Sequence, residues 1–175
     1  MSPLYILRHG ETRWNRERRL QGRRDSALTA LGQVQAARQG AILRGISGRL
    51  DVRCSPLGRT RRSAALAGLV AIVDDRLAEV ALGAWEGRTL AEIAPPPGVR
   101  WKFDAPGGEG LASVRDRLDA LLRDLAGPTV FVTHGVIAVL LRARLTGRPE
   151  EALDAMEDPQ GVVHQLCDGC ETMLR

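Results

Sequence analysis

Short apolar runs bounded by glycine and proline alternate along this chain with stretches of helical period. Leu4 to Leu7 is one such run and stops at Arg8-His9-Gly10; Thr129 to Val132 is another and stops at Thr133-His134-Gly135. Their shortness and their glycine ends predict buried strands. Leu50 to Cys54, closed by Ser55-Pro56, and Ala71 to Val73 predict two more, and Gly161 to Leu166 predicts a last strand at a sheet edge. Thr29 is placed to cap a helix with apolar positions Leu31, Val34, Ala37, Ala41 and Ile42, ended by Gly45 and Gly48. A small-residue helix is expected from about Gly58 to Leu69. Leu111, Val114, Leu118, Leu121, Leu122 and Leu125 mark one face of another, stopped by Gly127-Pro128. A further helix follows Gly135 and runs to about Leu145, with Gly147 past its end. Glu79 to Gly110, rich in Gly and Pro, is expected to be mainly loop.

Strands alternating with helices predict an α/β fold. The expected form is a three-layer sandwich: a mostly parallel sheet, one antiparallel edge strand and helices on both faces. No repeat, linker or low-complexity tail interrupts the pattern, so residues 1–175 read as one domain. Hydrophobic residues are 44% and charged residues 26%, ordinary globular usage that excludes a disordered chain or a coiled coil. Apolar stretches such as Val136 to Leu141 fall far short of the roughly 20 residues of a membrane helix, and no signal peptide pattern opens the chain. The expectation is a cytoplasmic protein without a membrane partner.

Lys and Arg total 25 against 21 acidic residues, and Lys102 is the only lysine, which leaves 24 arginines. Arginine suits phosphate and carboxylate partners. Aromatic residues are only 3%, too few stacking platforms for single-stranded nucleic acid, so no nucleic-acid partner is expected. His164, Cys167 and Cys170 have metal-like spacing but lack a fourth ligand, and no metal or other cofactor is expected.

The most informative feature is the matched pair of strands ending in His-Gly. Only three histidines occur, and two of them, His9 and His134, hold equivalent places. In an open α/β sheet the carboxyl ends of the strands border the ligand crevice, so two such strands side by side aim two imidazoles into one pocket. Arg8 stands beside His9, with Arg13, Arg19 and Arg59 as further cations. Guanidinium donors suit the charge of a transferring phosphoryl group, and nearby cations keep an imidazole neutral and nucleophilic.

A longer ordered set surrounds these residues. Leu7-Arg8-His9-Gly10-Glu11-Thr12 is followed by Trp14-Asn15, Arg19-Leu20-Gln21-Gly22, Asp25, Leu28-Thr29, Gly32 and Gln35-Ala36. Then come Ser55-Pro56-Leu57-Gly58-Arg59, Leu77-Ala78-Glu79, Gly83-Ala84-Trp85-Glu86-Gly87, Gly107-Gly108-Glu109 and Thr133-His134-Gly135. The set resembles the histidine phosphatase superfamily, which includes the cofactor-dependent phosphoglycerate mutases. The resemblance implies that His9 is a nucleophile forming a phosphohistidine. It implies that Arg8, Arg59 and His134 bind the phosphoryl group, with Asn15 hydrogen-bonding it. Glu79 would protonate the leaving oxygen and then activate water, Gln21 and Gly22 would line the pocket, and the Gly135 or Val136 N–H would add a donor. Ala27, Arg62-Ser63 and Gly110 depart from the family pattern, Gly110 by removing a helix-capping serine.

The segment from Gly87 to Gly107 is short beside the mutases, and a shorter cover that admits water favours a phosphatase. The expected function is therefore a phosphomonoesterase acting on a small intracellular phosphate ester. The alternative within the resemblance is a phosphoglycerate mutase. From a different class, a non-catalytic phosphate- or nucleic-acid-binding module stands against the combination of His9, His134 and Glu79, since binding alone needs neither nucleophile nor proton donor. A homodimer is left open as the assembly.

Overall fold

The computed structural model describes residues 2–175. Six strands form one sheet: β1 (Leu4–Arg8), β2 (Asp51–Cys54), β3 (Ile72–Val73), β4 (Thr129–Thr133), β5 (Val163–Cys167) and β6 (Cys170–Leu174). Their order is β3-β2-β4-β1-β5-β6, with β3, β2, β4 and β1 mutually parallel and β5 and β6 antiparallel. The helices are α1 (Arg13–Arg16), α2 (Ala30–Arg44), α3 (Gly58–Leu66), α4 (Leu90–Ile93), α5 (Leu111–Arg123) and α6 (Gly135–Leu145).

Alternation along β1 and β4 divides the core in two. Tyr5, Leu7, Val130 and Val132 face α2 and α3, where Leu43 and Ala64 meet them. Leu4, Ile6 and Phe131 face α5 and α6, where Leu118, Leu121, Ile137 and Leu141 complete a larger cluster. Strands buried on both faces account for their unbroken apolar runs. The α/β sandwich with helices on both sides is the expected architecture.

Two local expectations are corrected. Leu31, Val34, Ala37 and Ala41 are exposed, while the buried face of α2 consists of Gly32, Ala36, Gln39, Gly40 and Leu43. Close approach decides this: a Cβ on Gly32 would collide with the Glu11 carbonyl, and one on Gly40 with the Ala67 carbonyl. Only residues without bulk let the helix sit that near, so its apolar period misleads. The strand predicted at Gly161 to Leu166 is not the edge. Asp168 and Gly169, with φ of 48° and 76°, make a two-residue turn into β6, which covers β5. The expected single antiparallel strand is thus a hairpin.

The segment read as loop, Glu79 to Gly110, also carries short helices: 3-10 turns at Gly83–Trp85 and Arg100–Asp104, and α4 between them.

Candidate active site

Parallel pairing of β1 with β4 places Arg8 opposite Thr133 and brings the two histidines together at the strand ends. The His9 and His134 rings lie edge to face with centroids 5.2 Å apart, and both are buried. Gly10 is required here, because a Cβ would strike the Gly32 backbone at the start of α2. Gln39 of α2 ties the arrangement from behind, its Nε2 donating to the Arg8 and Val162 carbonyls at 2.9 Å each.

Hydrogen bonding fixes the His9 tautomer. Nδ1 is 2.8 Å from the Gly10 carbonyl, which can only accept, so Nδ1 carries the proton. Nε2 is 3.2 Å from Arg59 Nε, which can only donate, so Nε2 holds a lone pair. Burial, followed by the charges of Arg59 and Arg8, holds the pKa well below the ordinary imidazole value, and the ring is neutral at pH 7.

Arg59 is itself rigid. It lies in the first turn of α3, is 3% exposed, and donates to the carbonyls of Arg24 at 2.7 Å and Gly22 at 2.9 Å and to Asp25 at 3.0 Å. Gly22 takes a φ of 51° beside the Glu86 carboxylate, where a Cβ would collide with it. His134 Nε2 meets Ser55 Oγ at 2.7 Å, and its Nδ1 is buried with no hydrogen-bond partner among the described residues. Arg8 Nε is likewise buried and unpartnered.

Glu79 accepts from the N–H groups of Val80 at 3.1 Å and Val136 at 3.3 Å. The Val136 N–H, expected as a donor to phosphate, is therefore engaged by Glu79. In a capping box with Thr12, Asn15 uses its Oδ1 to accept from the Thr12 N–H at 3.1 Å, which leaves its amide NH2 as a donor. Arg8, His9, Asn15, Gln21, Gly22, Arg59, Glu79, Gly135 and Val136 all line one pocket of about 90 Å³. His134 stands directly behind it, against His9.

Sequence reasoning missed a supporting segment, Asp158 to Gln160. Arg8 Nη1 lies 3.1 Å from Asp158 Oδ2 and donates to the Asp158 carbonyl at 2.8 Å. Burial pushes the Asp158 carboxyl up to about 6 against the opposing pull of Arg8. Gln160 Nε2 donates to the His9 carbonyl at 3.0 Å and to Asn15 Oδ1 at 3.3 Å. Asp-Pro is an ordinary turn signal, so nothing in the sequence distinguished these residues. Lys102, Arg19, Leu20, Val80 and Leu82 complete the pocket wall. Trp85 instead packs on Trp101, ring centroids 5.6 Å apart, and Glu86 accepts from the N–H groups of Arg23 and Leu82.

His164 bonds Glu171 across the hairpin at 2.8 Å. Among the described residues no group of three or more His, Cys, Asp or Glu side chains could hold a metal ion.

A buried, neutral imidazole at a strand end with arginines beside it is what the fold brings together here, and comparison with known proteins gives the family. Residues 4–167 match the model of the histidine phosphatase superfamily (branch 1), and the chain belongs to that family. It is 33% identical over 167 residues to a curated Salmonella paratyphi C protein named "Probable phosphoglycerate mutase GpmB", covering 85% of this chain and 77% of that one. The solved structure of Rv3214 from Mycobacterium tuberculosis superposes with a TM-score of 0.86 at 30% identity, over 99% of this chain and 96% of that one. TTHB049 from Thermus thermophilus gives 0.78 at 34% identity, over 98% of both chains.

Proposed function

We propose that the protein is a phosphomonoesterase that hydrolyses small phosphate esters through a phosphohistidine at His9. The observation that carries this reading is the His9 ring: a neutral imidazole whose lone pair sits on Nε2 at the pocket, beside Arg59. Arg8 Nε, a buried donor without a partner, suits an oxygen of a phosphoryl group, and His134 Nδ1 is unpartnered as well.

In the first step His9 Nε2 attacks phosphorus, an N–P bond forms and the P–O bond to the alcohol breaks. Glu79 gives its proton to the departing oxygen. Arg59 Nε, released from the lone pair it had faced, donates to a phosphoryl oxygen instead, and Arg8 and the Asn15 amide supply further donors. In the second step water attacks phosphorus, Glu79 takes the water's proton, and the N–P bond breaks to release phosphate and restore His9. A mutase reading is favoured by the name of the curated relative. The short Gly87 to Gly107 segment supports hydrolysis, since a cover of that size leaves the phosphoenzyme open to water.

Acid-labile, base-stable phosphate is expected on wild-type protein quenched during turnover and is expected to be missing after His9→Ala; its persistence in the variant would eliminate the mechanism. Phosphate release without a bisphosphoglycerate primer separates hydrolase from mutase. Glu79→Gln is expected to slow alkyl phosphates by roughly 10²-fold or more and p-nitrophenyl phosphate much less, because p-nitrophenolate leaves without a proton. Single-turnover measurement isolates that step, and equal losses on both esters would remove Glu79 from the role.

A further inference from the structure

The tetrapeptide Cys167-Asp168-Gly169-Cys170 lies outside the pocket and takes no part in the proposed reaction. It forms the tip of the β5–β6 hairpin. Asp168 and Gly169 occupy the turn, and Cys167 and Cys170 are direct cross-strand partners on either side of it. Partners in an antiparallel pair project from the same face of the sheet, with Cα atoms about 4.5–5.5 Å apart. A disulfide spans Cα separations of roughly 4.4–6.8 Å, so the register places the two residues within bridging reach.

The third cysteine gives the contrast. Cys54 is buried at the end of β2, its Sγ donates to the Ser55 carbonyl at 3.3 Å, and burial pushes its pKa up to about 11. Cys170 is exposed and Cys167 half-buried, so an oxidant in solution meets the hairpin pair and not Cys54. Cys167 donates to the Asp168 carboxylate at 3.4 Å, and that bond raises its pKa. The exposed Cys170 is thus the thiol placed to react first.

Strain decides how firmly a bridge at this place holds. Cβ atoms of cross-strand partners stand about 4.5–5.5 Å apart, whereas a disulfide prefers about 3.8 Å. Closure draws the strands together, and a strained, exposed disulfide is readily reduced. The hairpin tip is also where the edge of the sheet is held: β6 pairs with β5 alone, and its Glu171, next to Cys170, bonds His164 and Arg142. A covalent link at the tip limits how far β6 can open.

We infer that Cys167 and Cys170 form a reversible dithiol–disulfide site, oxidised by low-molecular-weight disulfides, that pins the edge strand β6. In the first exchange the Cys170 thiolate attacks one sulfur of oxidised glutathione, the S–S bond breaks and one glutathione thiolate leaves. The Cys167 thiolate then attacks the Cys170 sulfur, and the second glutathione leaves. Both cysteine protons end on the departing thiols: two protein thiols are oxidised and one glutathione disulfide is reduced. Excess reduced glutathione runs the same steps backwards. Pairing of Leu166 with Leu4 puts the tip at the opposite end of β1 from His9, so the site stands independently of the proposed hydrolysis.

The test treats the native protein with oxidised glutathione, then unfolds and alkylates it for mass measurement. Alkylation is expected to count one thiol in place of three, with peptide mapping joining Cys167 to Cys170. Cys167→Ser is expected instead to trap one glutathione on Cys170. Excess reduced glutathione is expected to restore all three thiols without denaturant. Three thiols left unreacted, wild-type protein that keeps glutathione on Cys170, a bridge to Cys54 or between chains, or a bridge that resists reduction would each overturn the inference. Amide hydrogen exchange reads the pinning: β6 is expected to exchange about tenfold more slowly in the oxidised protein. Equal rates in the two forms, or the same slowing in a Cys167→Ser/Cys170→Ser variant treated alike, would overturn the pinning.

Discussion

The ends of β1 and β4 begin as near copies, an apolar strand running into His-Gly, yet their surroundings part company at the ring. Both ring nitrogens of His9 are spoken for, Nδ1 by the Gly10 carbonyl and Nε2 by Arg59, so the lone pair is fixed and faces a cation. His134 has one nitrogen on Ser55 and the other unpartnered. Burial comes first among the causes that push both rings far below the ordinary imidazole pKa, so charge state does not separate them. Partners do: the His9 lone pair is held on Nε2 beside Arg59, while His134 keeps one ring nitrogen on Ser55 and the other without a partner. A repeated motif therefore sets position, and the residues that touch each ring set its hydrogen bonding.

The largest expected break in this comparison is between the histidines themselves. His9→Ala is expected to lower kcat by roughly 10⁴-fold or more, as loss of a nucleophile does, and His134→Ala by about 10²–10³-fold, as loss of one donor to a developing charge does. Steady-state rates on p-nitrophenyl phosphate check this; equal losses would mean that the two rings share one role.

A smaller effect is expected at Asp158, the anchor of Arg8. Its folded pKa of about 6 lies above the carboxylate value of 3.8, so the folded state takes up this proton more readily than the unfolded state. The ionised form thus opposes folding above about pH 6, and that cost disappears as the pH falls toward 3.8. Asp158→Asn is expected to raise Tm at pH 7.5 while lowering kcat/KM about tenfold through a looser Arg8. Wild-type kcat/KM is expected to fall as the pH drops through about 6, and the variant to lack that limb. A pH profile unchanged by the substitution would remove Asp158 from the positioning of Arg8.

The smallest effect is expected from Ser55→Ala. The His134 ring loses its one hydrogen bond, and kcat is expected to fall only a few-fold, since packing still holds the buried ring. A loss as large as that of His134→Ala would show that the Ser55 hydroxyl alone orients the donor.

Much of the site was legible because its residues lie in contiguous blocks: Arg8 through Asn15, Arg19 through Gly22, and Ser55 through Arg59. The strands were legible because burial on both faces leaves unbroken apolar runs. The failures share a different cause. The buried face of α2 is small and polar because backbone contact, rather than apolar area, determines its depth, and periodicity cannot register that. Cys167-Asp168-Gly169-Cys170 was weighed for metal spacing, while its Asp-Gly pair carried the hairpin signal that produces β6. Asp158, Gln160 and Lys102 reach the site from far along the chain, and no local pattern connects them to it.

The contact between Gly10 and Gly32 has a consequence for how such a pocket diversifies. The seat of His9 is clamped by main chain against main chain, with Gln39 locking it from behind, and side-chain drift elsewhere does not disturb it. The opposite wall, from Glu79 to Lys102, belongs to turns and short helices. Substitution can therefore reshape that wall while the His9 seat stays in register: inheritance is concentrated on one side of the pocket and invention on the other.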